Sequence, residues 1–137
     1  MRSGDWLARS GVAVLALCGG LSAVLEALLV PLYIGSVVIP VAVVLALAGN
    51  AVLPRLARSL VPTTAAALAP FGVWLIVMVV FGVLARPEGD VVLPASPTSA
   101  ALVTYGALLG GALVGTVTIV WLTPPPLTKE KAGAARR

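Results

Sequence analysis

Residues 11–54 read GVAVLALCGGLSAVLEALLVPLYIGSVVIPVAVVLALAGNAVLP, and between Arg9 and Arg55 the only charge is Glu26. A membrane-spanning helix needs about 20 mostly apolar residues to cross roughly 30 Å of hydrocarbon. This run is too long for one such helix and long enough for two. Proline and glycine punctuate it at Pro31-Leu32-Tyr33-Ile34-Gly35-Ser36, which is turn chemistry. A first span is therefore expected over about residues 11–30 and a second over about 37–53, closed by Pro54. After Arg55 and Arg58 no charge appears until Arg86, and a third span is expected over about 65–85. Arg86, Glu88 and Asp90 lie in the Pro/Gly/Ser-rich stretch 87–99 or at its edge, and a fourth span follows over about 100–122, stopped by Thr123-Pro124-Pro125-Pro126. The expected fold class is all-α: an integral membrane four-helix bundle over residues 1–122, followed by a disordered basic cytoplasmic tail over 123–137.

Composition agrees. The chain has 137 residues, 60% hydrophobic and 10% charged, with a mean hydropathy of +1.10; soluble domains run near 45–50% apolar and about 25% charged. With no histidine and Cys18 as the one cysteine, the sequence excludes an intrachain disulfide, a Cys/His zinc site, His-ligated haem and a Ser-His-Asp triad. It also lacks a P-loop lysine, a dinucleotide glycine pattern and paired carboxylates placed for catalysis. No enzyme, cofactor or metal site is expected. The net charge is +4, but no basic run is interleaved with aromatics, so no nucleic-acid partner is expected either.

Cytoplasmic loops are enriched in Lys and Arg. With four spans, one side carries Arg2, Arg9, Arg55, Arg58, Lys129, Lys131, Arg136 and Arg137, and the other only Arg86. Both termini are expected in the cytoplasm, with the protein in the inner membrane. Trp6 and Trp121 then fall at the inner interface and Tyr33 near the outer one. The basic termini should draw anionic lipid. A charged start before an apolar run also fits a cleaved signal peptide. The length of the run, the bulky Leu15 before Cys18 and the charge pattern favour a retained span instead.

Glu26 is the one ionisable residue within a span, roughly 22 Å along the helix from Gly11. A charge at such depth is costly and should face the bundle with a partner. Gly19, Ser22, Glu26 and Tyr33 follow helical spacing, a small-and-polar stripe. Tyr105 and Thr104 are candidate partners by depth, Arg86 could reach inward on its flexible stem, and Pro40 in the second span would free a carbonyl. The functional reading is a protonatable or cation-binding pocket built on Glu26, Tyr105 and Arg86. The alternatives are a hydrogen-bonded carboxyl that fixes helix packing, and a carboxyl shallow enough to be wetted.

The fourth span holds two small-xxx-small pairs, Gly106/Gly110 and Gly111/Gly115, which let helices approach closely. The partner is a helix of the same chain, a second copy or another protein. Asn50 is expected to bond to a neighbouring helix or interfacial water, and Cys18 to act as a small packing residue. Glu88 and Asp90 read as a solvated turn.

Four spans with a glutamate in the first resemble the small multidrug resistance transporters, in which that residue binds both proton and cationic drug within a homodimer. Strong charge bias, the long loop from Arg86 to Ser99 and a third span without that family's glycine-rich pattern depart from it, and close kinship is rejected. Arginine outnumbers lysine seven to two, and the spans are mainly Ala, Val and Leu. In this the chain is similar to uncharacterised small four-helix membrane proteins of high-GC actinobacteria, a resemblance that implies no particular activity. The expected function is an accessory or assembly subunit of a larger membrane complex; the alternative is a homo-oligomeric transporter or channel component that uses Glu26. A weaker third reading is a modulator acting through its basic tail on anionic lipid.

Overall fold

A computed structural model describes residues 3–30, 32–83 and 98–123. They form four helices: α1 Ser3–Leu29, α2 Val41–Leu60, α3 Thr64–Val83 and α4 Thr98–Leu122. Each is long and apolar enough to cross a membrane. At 27 residues, α1 extends about 40 Å, and the 20 residues of α2 and of α3 about 30 Å each.

Strands β1 (Tyr33–Ile34) and β2 (Val37–Val38) join α1 to α2 as a small antiparallel hairpin. Ile34 pairs with Val37, leaving Gly35-Ser36 as a two-residue loop. Gly35 has φ +64° and Ser36 does not share a positive φ, the pattern of a type II′ turn with glycine at its first central position.

The helices alternate in direction but do not follow one another around the bundle. α1 packs on α2 and on α3, α2 on α4, and α3 more loosely on α4, while α2 and α3 meet across the short diagonal. The ring order is thus α1-α2-α4-α3, with α1 and α4 at opposite corners. Gly19 opposes the Pro70 backbone where the parallel helices α1 and α3 cross; a Cβ at Gly19 would overlap the Pro70 carbonyl.

Small residues occupy the interior. Ala23, Ala27, Ala42, Ala46 and Ala107 are buried, with Trp74 and Met78 as the large exceptions. Leu17, Leu21 and Leu28 of α1, Ile76 of α3 and Leu109 and Leu113 of α4 point outward. Close packing of small side chains is the mode of association typical of helices in an apolar medium, and here it leaves the large aliphatic groups outside.

Several boundaries differ from expectation. α1 begins at Ser3, before residue 11, because nothing in Asp5–Ser10 opposes a helix. α2 starts at Val41 rather than 37, with Pro40 outside it as the cap residue; residues 33–38 are in the hairpin. α2 also continues through Pro54 to Leu60. Proline there removes one backbone bond, a loss that packed helices in apolar surroundings tolerate. The Arg86 loop and the tail from Pro124 lie outside the described residues.

Candidate functional site

Glu26 sits in the last turns of α1 and is 0% exposed. One turn earlier, the Ser22 hydroxyl donates to its Oε1 at 2.7 Å. The Trp74 indole Nε1 donates to Oε2, also at 2.7 Å. Both carboxyl oxygens are therefore engaged within the chain, one by α1 and one by α3.

Trp74 reaches Glu26 because its ring is held on several sides. Phe71 stacks on it, with centroids 6.1 Å apart and ring planes 15° from parallel. Across from it lies Gly111 of α4, where a Cβ would stand 2.7 Å from the indole Cη2 and Cζ2 and 3.1 Å from the Asn50 amide nitrogen of α2. Asn50 is buried, and its Nδ2 donates to the Ala46 carbonyl at 3.0 Å. Side chains and backbone from all four helices thus converge on one indole and one carboxyl.

Chemically, the pair is asymmetric. Indole is a donor only, so Trp74 must bond to an accepting oxygen. A serine hydroxyl rotates, donating to a carboxylate or accepting from a carboxylic acid. The arrangement can therefore satisfy Glu26 with or without its proton. The described cations Arg9, Arg55 and Arg58 belong to the other end of the bundle; Arg9 precedes Glu26 by nearly five turns of α1, roughly 25 Å.

Of the stripe read from helical spacing, Gly19, Ser22 and Glu26 face inward, whereas Tyr33 is in the hairpin and exposed. Tyr105 is 52% exposed on α4 and its neighbour Thr104 is buried. Arg86 lies outside the described residues. The two glycine pairs face different helices: Gly106 and Gly110 meet Val43 and Leu47 of α2, while Gly111 and Gly115 seat the rings of Trp74 and Phe71 of α3. Cys18 is exposed on the outer face of α1 rather than packed.

Trp74 is the residue that sequence reasoning missed. Its signal was present: an indole in mid-span, whose N–H needs a partner when buried, in a chain with one intramembrane carboxyl to accept it. Among the described residues no group of three or more His, Cys, Asp or Glu could hold a metal ion. No protein family, curated protein or solved structure matches the chain.

Proposed function

We propose that this chain is a four-span inner-membrane protein, both termini cytoplasmic, that serves as an accessory or assembly subunit beside a larger membrane partner. The observation that carries the reading is the internal satisfaction of Glu26. Both its oxygens are bonded within the chain, so the helices present mainly large aliphatic side chains outward. Such a surface suits lipid and the flank of another membrane protein. The eight-to-one distribution of basic residues supports the orientation. Mild-detergent extraction of the tagged native protein, with mass and co-purifying chains determined together, tests this. Recovery at near-stoichiometric ratio with a larger membrane protein is expected; a homo-oligomer without partner counts against it.

A second reading, a homo-oligomeric transporter or channel component, is favoured by the Ser22 hydroxyl, which can serve either protonation state of Glu26. Under it, Glu26→Gln abolishes substrate flux in reconstituted vesicles while the fold persists. Unchanged flux in that variant removes the reading.

A further inference from the structure

Outside the Glu26 site, charged side chains and a cavity coincide at the end of the bundle where α1 starts and α2 turns into α3. Two adjoining hollows lie there, with Arg9 and Val61 in the walls of both. The shallower, about 310 Å³, is lined by Asp5, Ala8 and Arg9 of α1 and by Leu60, Val61 and Pro62. The deeper, about 260 Å³, is lined by Arg9 and Val12 of α1, by Thr63, and by Ala65 and Ala66 in the first turn of α3. Together they form one cleft that descends along α1 from Asp5 to Arg9, about 6 Å on, and then to Val12, about 4.5 Å further. Asp5 and Arg9 have the four-residue spacing at which opposite charges on a helix pair. Among the described residues, however, neither forms an ion pair or a side-chain hydrogen bond. Both are exposed and both line the cleft, so a carboxylate and a guanidinium are each open to a ligand. The helix ends reinforce this order. The C-terminal end of α2, at Leu60, stands in the shallow wall with the negative end of its dipole, and the start of α3 stands in the deep wall with the positive end.

We propose that this cleft binds one phosphatidylethanolamine, with its ammonium on Asp5, its phosphate on Arg9 and an acyl chain in the deep hollow against Val12 and Ala65. The proposal rests on the membrane reading above. The order of groups along the cleft selects the occupant. Phosphatidylethanolamine runs from an ammonium through two carbons to a phosphate, and then to glycerol and hydrocarbon. The cleft runs in the same order from an acceptor to a donor to an apolar wall. The ammonium N–H donates to the carboxylate and the guanidinium donates to the phosphate, and both bonds are charge-assisted. An anionic headgroup would meet a like charge at Asp5. A choline headgroup has no N–H to donate, and a soluble phosphoethanolamine would leave the deep hollow unfilled.

The test is native mass spectrometry of the full chain in mild detergent, titrated with phosphatidylethanolamine, phosphatidylcholine or phosphatidylglycerol. Wild type is expected to retain one phosphatidylethanolamine about tenfold better than either other lipid, the worth of one hydrogen bond to a charged group. Asp5→Ala should erase the preference over phosphatidylcholine. Arg9→Gln should weaken retention of both lipids about fivefold. Ala65→Phe, which fills the deep hollow without changing charge, should weaken both as well. Arg55→Gln should change nothing, because position 55 lies about 140° around α2 from Leu60. Circular dichroism should show wild-type helicity throughout. Equal retention of the three lipids would overturn the proposal. So would a loss in Arg55→Gln equal to that in Arg9→Gln, which would mean diffuse electrostatics. Displacement of the lipid by glycerophosphoethanolamine would overturn it in favour of a soluble ligand. Cross-linking of Pro62→Cys to another protein in native membranes would overturn it in favour of a protein occupant. Failure of the chain to insert into vesicles would defeat the membrane reading itself, whereas insertion without this selectivity defeats the proposal alone.

Discussion

At the level of single residues, the Glu26–Trp74 bond is where most is at stake. Trp74→Phe keeps the aromatic contact with Phe71 but removes the indole donor to Oε2. An orphaned buried acceptor costs about 1–3 kcal/mol in water-soluble folds, and interhelical bonds in membranes average nearer 0.6. A loss of about 1–2 kcal/mol is expected by reversible denaturation in bicelles, with Phe71→Leu as the control for ring packing. Glu26→Gln should behave differently: the amide oxygen can accept from Trp74 and the amide nitrogen can donate to the Ser22 oxygen. Its stability should fall within about 0.5 kcal/mol of wild type. A Gln variant as damaged as Trp74→Phe would show that the negative charge itself, rather than the bonding pattern, holds the site. This half of the site was legible in sequence as the spacing of Ser22 and Glu26 along one helix. Trp74 was not, because its pairing joins residues on different helices, and periodicity carries no information about which helix comes alongside.

Between helices, the glycines separate into those that touch something and those that do not. Gly111 sits against the indole ring, with 2.7 Å left for a Cβ, whereas Gly72 in α3 has nothing within 4 Å of that position. Gly111→Ala should therefore push Trp74 off Glu26 and cost about 1–3 kcal/mol, the usual range for overpacking. Gly72→Ala should be neutral or stabilise by up to about 1 kcal/mol through helix propensity. Thermal unfolding in detergent, followed by tryptophan fluorescence, checks both; a harmless Gly111→Ala would mean that the ring has room to move. The small-xxx-small pairs were visible in the sequence as packing sites, but their facing was not. Gly106 and Gly110 are four apart and meet α2; Gly111 and Gly115, each five residues further on and so about 140° around the helix, meet α3. Existence and count of the helices were legible because charge-free runs of this length have few other uses. Their ends were not: Pro54 and Pro40 are the same residue type, yet one is inside α2 and the other caps it, a choice made by packing.

For the molecule as a whole, small residues inside and large aliphatic ones outside fit the membrane surroundings proposed above. Cys18, exposed on the outer face of α1, reports on this directly. In reconstituted vesicles it should resist a charged maleimide and react only after denaturation in SDS. Ready labelling of the folded protein would remove the membrane reading. The ring order α1-α2-α4-α3 bears on how the molecule is made. Helices α1, α2 and α3 all contact one another, so a nascent chain ending shortly after Val83 already holds a closed three-helix platform, with Glu26 and Trp74 both present. α4 arrives last and docks into the angle between α2 and α3. Two separately synthesised fragments, divided between residues 83 and 98, should therefore find each other in the bilayer and restore the intact protein.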